Sequence, residues 1–164
     1  MDRVDVKASI IIGIIGVILI SFIYFRPVSI ERDYSGYMYA GDSEFQKSTE
    51  IKLVGTLKKK LSLNHVFKGT IEVDGIKEEI ILKRIWAKNN IFNSEGYSAF
   101  IENKSNTDNY EVTGTLDTSK DFNKIVVRLY EIDNKYNGKF NICGPSSNLK
   151  EAEGILANME KDNK

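Results

Sequence analysis

The chain has 164 residues, 41% of them hydrophobic, and its 23 basic and 23 acidic side chains cancel. Because no net charge remains, no field of the whole molecule is expected to attract nucleic acid, and we predict no nucleic-acid partner. The single cysteine, Cys143, excludes an intramolecular disulfide and a Cys-x-x-Cys metal or redox site. No cofactor motif is found, so no cofactor and no metal are expected.

A run of eighteen residues without a charge, Ala8 to Phe25, predicts an N-terminal transmembrane helix. As a helix it would be roughly 27 Å long, close to the thickness of the hydrocarbon core of a bilayer. The run exceeds the usual apolar segment of a secretory signal, and no A-x-A-like cleavage site follows it. We therefore expect an uncleaved anchor after a cytoplasmic tail (1–7) and before a juxtamembrane linker (26–33).

The orientation of this predicted anchor is open, because two basic side chains flank each end. Arg3 and Lys7 precede the run, and Arg26 and Arg32 follow it. The amino terminus adds a positive charge to the first side. We favour a signal-anchor of a single-pass cell-membrane protein, with the domain outside the cytoplasm, and leave the reverse insertion as the alternative.

Residues 34–164 predict a single β-rich extracytoplasmic domain, since apolar and polar side chains alternate in several short runs. Asp74-Gly75 separates two such runs, and this dipeptide is typical of a tight hairpin. The expected fold is mainly β: an antiparallel β-sandwich or a small barrel of about seven or eight strands. A strand over Ile125 to Ile132 is expected to end in a turn at Asp133 to Gly138, and a final strand, Lys139 to Ile142, is expected to follow the turn.

The C-terminal segment 149–160 predicts an amphipathic helix that docks on the sheet. Its apolar residues recur at helical spacing and are Leu149, Ala152, Ile155, Leu156 and Met159. Asn148 and Glu151 have the spacing of a capping box at its start.

Three Gly-Thr-Leu/Ile triplets, beginning at Gly55, Gly69 and Gly114, fall inside predicted strands. Their spacing is unequal, which excludes a solenoid and favours glycine bends in a strongly curved sheet. Residues 55–75 (GTLKKKLSLNHVFKGTIEVDG), 114–131 (GTLDTSKDFNKIVVRLYE) and 142–156 (ICGPSSNLKEAEGIL) resemble uncharacterised single-pass membrane proteins of low-GC Gram-positive bacteria. The resemblance covers most of the domain and implies a membrane protein without an assigned activity.

Lys58, Lys59 and Lys60 form the sharpest charge cluster and make a candidate interaction surface. They would either protect a sheet edge from pairing, the interpretation we favour, or contact anionic lipid or an anionic envelope polymer. Tyr37 and Tyr39 are a second candidate surface, or else part of the first core strand.

No catalytic constellation is recognisable, so we predict a non-enzymatic module that binds a membrane or envelope protein or another envelope component. One alternative is an envelope enzyme with a carboxylate site built from Asp117, Asp121 and Glu131. A second is a structural subunit of a membrane complex. His65 lacks neighbouring ligands and is expected on the surface of a loop.

Overall fold

A computed structural model describes residues 3–41, 44–60, 65–85, 96–104 and 110–160. Its first element is the helix α1 (Arg3–Phe25), which contains the apolar run and ends at the residue predicted from the sequence. Twelve large side chains between Ile10 and Tyr24 are each at least 40% exposed, so this helix does not bury its apolar surface against the rest of the chain.

The helical prediction for this segment is confirmed, but membrane crossing is not. Among the residues that the structure describes, none of the helices has the length and apolar character required to traverse a membrane.

Eight antiparallel strands form a closed barrel in which each strand pairs with the next along the chain and the last pairs with the first. The strands are β1 (Val28–Ala40), β2 (Gln46–Lys58), β3 (Val66–Val73), β4 (Ile76–Ile85), β5 (Gly96–Lys104), β6 (Tyr110–Ser119), β7 (Ile125–Leu129) and β8 (Phe140–Gly144). The structure thus confirms a mainly β fold and selects the barrel over the sandwich.

The barrel has two distinct ends. The basal end carries the start of β1, the β2–β3 connection and the β6–β7 hairpin, and α1 enters there. The upper end carries the β3–β4 turn at Asp74-Gly75 and the β7–β8 connection. Barrel closure is provided by a short ladder in which Tyr37 pairs with Cys143 and Ala40 with Phe140.

The first strand begins earlier than the sequence predicted. Val28 already pairs with Leu57 of β2, so residues 28–33, which we expected to be a linker, are strand. The strand β8 pairs only with residues 37–40 of β1, so residues 28–33 are largely exposed to solvent. Their side chains can therefore be polar, and the alternation typical of a strand is missing from the sequence. Only Arg26 and Pro27 lie between α1 and the barrel.

Apolar side chains from all eight strands fill the described interior of the barrel. Fully buried members include Met38, Ile51, Leu53, Phe67, Ile71, Leu82, Ile101, Leu116, Ile125 and Ile142. An eight-stranded barrel is just wide enough for its own side chains to occupy the interior. Each strand therefore points alternate residues inward, which explains the period-two pattern of the sequence.

Phe122 closes the basal end of this core. It is 1% exposed, and its ring lies 4.8 Å from that of Tyr97 and 5.2 Å from that of Phe67. The hydroxyl of Tyr34 donates a 2.7 Å hydrogen bond to the carbonyl oxygen of Phe122. The backbone of Phe122 has a φ of 57°, a value that bulky residues rarely adopt, so packing holds this residue in a strained conformation.

The predicted role of the triplet glycines in sheet curvature is supported by their positions. Gly55 and Gly69 pair directly across β2 and β3. A Cβ on Gly69 would overlap the carbonyl oxygen of Val54, and a Cβ on Gly55 would overlap that of Lys68. Gly114 lies beside a register shift between Ile101 and Glu102. The strands can therefore bend and approach closely only because side chains are absent there.

The predicted turn at Asp133 to Gly138 is wrong. The strand β7 ends at Leu129, and a helix, α2 (Tyr130–Tyr136), follows it. Ile132 of this helix is fully buried, so α2 covers the upper end of the barrel. Asn137 ends the helix in the left-handed conformation, a role that Asn tolerates, and this residue had favoured a hairpin turn in the sequence.

The C-terminal helix α3 (Leu149–Glu160) confirms the sequence prediction and its bounds. Ala152 and Ile155 are buried against outward-facing side chains of the barrel, Tyr39, Val126 and Cys143. The Asn148 side chain accepts a hydrogen bond from the Glu151 amide at 3.0 Å, as expected for the capping box. The side chain of Met159 lies outside the described part of the structure.

Two glycine-to-alanine substitutions should change the free energy of unfolding in opposite directions, because one glycine lies in the β2–β3 contact and the other in an open position of α3. Gly69→Ala places a methyl group on a backbone carbonyl and should destabilise the fold by about 3 kcal/mol. Gly154→Ala, in an open position of α3, should stabilise it by about 0.5 to 1 kcal/mol, because alanine favours helix. Denaturant unfolding of both variants measures the difference, and equal midpoints would contradict the close strand approach.

Candidate functional site

The three candidate lysines lie at the basal end, next to the end of α1. Lys58 is the last residue of β2, and Lys59 and Lys60 follow it. The Lys59 ammonium lies 5.3 Å from the centroid of the Tyr24 ring, a cation–π contact that joins the β2–β3 connection to the helix. The lysines therefore lie at the junction of the two parts of the molecule.

The two candidate tyrosines do not join these lysines. Tyr39 is 5% exposed and packs under α3, and Tyr37 packs against the same cluster. The Tyr37 hydroxyl donates a 2.8 Å hydrogen bond to Gln46, at the start of β2. Since Lys58 is at the other end of that strand, roughly 40 Å separates the two sets along β2. The tyrosines are part of the core and of the α3 contact, which was the alternative interpretation.

A polar groove with a volume of about 1110 Å³ follows the outer face of β1, β2 and β3. Its lining includes three carboxylates on outward-facing positions, Asp33, Glu50 and Glu72. Lys52 lies between them in the register, opposite Asp33 on β1 and Glu72 on β3. The groove thus carries an excess of negative charge.

Serine hydroxyls complete the lining of this groove. Ser35 and Ser48 come from β1 and β2, and Ser147 comes from the segment that leads to α3. The backbone of that segment is fixed to the barrel, because the Ser146 amide donates a 2.8 Å hydrogen bond to the carbonyl oxygen of Ser35. The groove therefore combines carboxylates and hydroxyls on the barrel wall, an arrangement that suits a ligand bringing basic and hydrogen-bonding groups.

One end of the groove is formed by a charged network around Asp74. Its carboxylate lies 2.6 Å from the Lys47 ammonium and 2.8 Å from that of Lys135. It also accepts a 2.6 Å hydrogen bond from the hydroxyl of Tyr136. These donors hold the pKa of Asp74 well below its usual range, and the hydrogen bond to Asp74 raises the pKa of Lys47. The network ties the β3–β4 turn to β2 and α2.

This network was not predicted from the sequence. Asp74-Gly75 was interpreted as a turn, and the turn is present, with φ values of 53° and 83°. Lys47 and Lys135 are 27 and 61 residues away along the chain. Lys135 and Tyr136 are adjacent in the sequence, but this pair of residue types does not identify Asp74 as their shared partner.

The proposed carboxylate site does not assemble from the residues we named. Asp117 points outward on β6, and burial raises its pKa, although a hydrogen bond to Ser98 and the charge of Arg128 oppose the shift. Asp121 lies in the β6–β7 hairpin, where a hydrogen bond from Ser119 lowers its pKa. Glu131 is on α2, at the opposite end of the barrel.

Glu131 instead has a different acidic neighbour. Glu78 faces the barrel interior near the upper end, and burial, with the charge of Glu131, raises the pKa of Glu78. Within the described ranges, His, Cys, Asp and Glu side chains do not form a group of three or more that could hold a metal ion.

Two further candidates are buried. His65 is 6% exposed, which corrects the expected surface position, and its Nδ1 accepts a 3.2 Å hydrogen bond from the Lys60 amide. This contact helps to hold the lysine segment in place. Cys143 is fully buried under α3, and burial raises the pKa of its thiol to about 12. A thiol with that pKa is protonated at neutral pH and is a poor nucleophile.

No protein-family model, no curated protein and no solved structure matches this chain.

The Asp74 network predicts a pH-dependent stability. Because the folded-state pKa lies below the ordinary value of about 3.9, the stabilisation is fully present above that pH and is lost as the pH falls through the lowered pKa. Asp74→Asn keeps a residue that tolerates positive φ and should lower stability at pH 7 by about 1 kcal/mol.

Urea unfolding at pH 7 and pH 3 makes this comparison. The loss of stability between the two values should be smaller in Asp74→Asn than in the parent, because the variant lacks the titrating carboxylate. Asp33→Asn, at an exposed position in the same groove, is the matched control and should retain the parent's pH dependence. Identical profiles for all three proteins would contradict the network.

Proposed function

We propose that this chain is a membrane-anchored, non-enzymatic binding module, with α1 as the anchor and the barrel on the extracytoplasmic side. The observation that carries the proposal is the continuous exposed apolar surface of α1, which leads through two residues into a folded barrel. Large apolar surfaces are rarely left in water, and a lipid phase is the solvent that suits a helix apolar on all sides.

Further support for the anchor comes from the sequence, in which Ala8 to Phe25 is long enough as a helix for a bilayer core. Tyr24 is at the end of this run, where aromatic side chains favour the lipid–water interface. The resemblance to single-pass membrane proteins of low-GC Gram-positive bacteria is the reason to look for the partner in a bacterial envelope.

The groove on β1, β2 and β3 is the surface we propose for the partner. The described interior is occupied by side chains, whereas this outer face is open and polar. Its carboxylates favour a basic segment of a membrane or envelope protein over a polyanion. The partner is therefore a protein that presents lysine or arginine side chains.

A second candidate is an envelope enzyme that uses Asp117 without Glu131, which lies at the opposite end of the barrel. Asp117 is partly buried and has a raised pKa, a property that general acids share with structural carboxylates. Asp117→Asn should leave capture of a partner through the groove unchanged, because Asp117 lies on β6, outside the lining of that groove.

The anchor predicts the mass and the topology of the mature protein. Protein extracted from membranes should retain residues 1–25 in its intact mass, and it should resist extraction by alkaline carbonate, because the apolar run is held in lipid. A reporter fused after residue 164 should be active only outside the cytoplasm. Loss of the first 25 to 35 residues contradicts the anchor, and a reporter active only in the cytoplasm reverses the orientation.

If the partner binds in the groove, its capture should depend on the carboxylates that line the groove. Affinity capture of the full chain from membranes should yield a partner that is lost, about tenfold or more, when Asp33, Glu50 and Glu72 are changed to Asn, Gln and Gln. The control changes three exposed carboxylates elsewhere, Glu44, Glu79 and Glu153, to Gln and should retain the partner. Equal recovery with both variants excludes the groove as the binding surface.

A further inference from the structure

The basal end of the barrel carries a positively charged surface formed by Arg26, Lys58, Lys59 and Lys60, which we name the basal lysine surface. Arg26, Lys58 and Lys60 are exposed, and Lys59 is partly buried against Tyr24. Among the described residues, none forms an ion pair with Lys58 or Lys60. The charge of this surface is therefore available to a ligand.

The explanation that we favoured from the sequence does not hold for these lysines. Lysines protect a sheet edge only where a strand lacks a neighbour. At the end of β2, Leu57 pairs with Val28 of β1, and Lys58 pairs with Val66 of β3. Because the barrel is closed, β2 is not an edge strand. Lys58 lies one residue beyond the last pair of β2 with β1, and Lys59 and Lys60 follow the strand, so the lysines do not line a sheet edge and require another explanation.

The remaining charges at this end do not neutralise the surface. The β6–β7 hairpin adds the exposed Lys124. Its acidic residue, Asp121, is held within the hairpin by hydrogen bonds from Ser119 and from the amide of Asn123. On the nearby start of β1, the Glu31 carboxylate lies 4.0 Å from the Lys52 ammonium, so these two charges offset each other. The basal lysine surface therefore keeps an excess of positive charge among the described residues.

We propose that the basal lysine surface binds the phosphate groups of anionic lipids in the bilayer that receives α1. This inference rests on the proposed membrane anchor. A tyrosine at the end of an apolar helix lies at the depth of the headgroups, and Lys59 contacts Tyr24. The neighbouring ammonium groups are then at the level of the lipid phosphates, where each lysine strengthens binding by about fivefold.

The test uses the full chain reconstituted in vesicles with equal amounts of phosphatidylcholine and phosphatidylglycerol. After extraction in mild detergent, mass spectrometry measures the ratio of the two lipids that remain bound. The bound lipid should be enriched in phosphatidylglycerol, and 0.5 M salt should reduce the enrichment because the interaction is electrostatic. Lys58→Gln/Lys60→Gln should lower it about fivefold or more, and it leaves Lys59 and its contact with Tyr24 in place.

The matched control, Lys77→Gln/Lys139→Gln, removes two exposed lysines at the upper end and should keep the enrichment of the parent. Equal melting temperatures verify that both variants fold. Soluble polyphosphate is the competing probe: if Lys58→Gln/Lys60→Gln weakens only polyphosphate binding, the surface recognises a polymer and the lipid proposal is overturned.

Flotation with vesicles distinguishes lipid binding by the lysines from membrane insertion of α1. A chain that floats with pure phosphatidylcholine vesicles but shows no lipid preference keeps its anchor and overturns the lysine proposal. A chain that floats with neither vesicle overturns the anchor, and with it the proposal that depends on it.

Discussion

Closure of the sheet is the constraint on which the other features of the molecule depend. A strand of a closed barrel must bend and coil as it pairs on both sides, and the backbones must approach closely where the curvature is strongest. Gly55 and Gly69 provide that approach on one side, and the short β1–β8 ladder completes the barrel on the other. Closure also leaves one continuous outer surface, on which α3 occupies one part and the polar groove another.

Much of the fold could be predicted because it is encoded locally. Alternation identified most strands, and the spacing of Leu149, Ala152 and Ile155 identified α3 with its bounds. The errors occurred where tertiary contacts outweigh local preference. Tyr130 to Tyr136 contains turn-forming residues, yet it is helical, because a helix at the upper end of the barrel is stabilised by the burial of Ile132. Residues 28–33 lack the alternating pattern of a strand, and they form one because they pair with β2.

The site was predictable only in part, for the same reason. Residue type and exposure made Lys58 to Lys60 a candidate surface, but the reason for the charge depends on the closed sheet and on Tyr24, 35 residues from Lys59. The Asp74 network joins three segments, and no local pattern reveals such a junction. Asp117 and Asp121 are close in sequence, yet their pKa values shift in opposite directions, because partial burial outweighs the hydrogen bond at Asp117 and hydrogen bonds outweigh burial at Asp121.

The short connection between α1 and the barrel limits where the barrel can be. With Arg26 and Pro27 alone between the two elements, the first strand begins within roughly 10 Å of the end of the helix. Proline further restricts the connection, so the barrel can take only a limited range of positions relative to the helix. Any ligand confined near the end of α1 therefore meets the barrel at a high effective concentration, and weak individual contacts suffice for sustained occupancy.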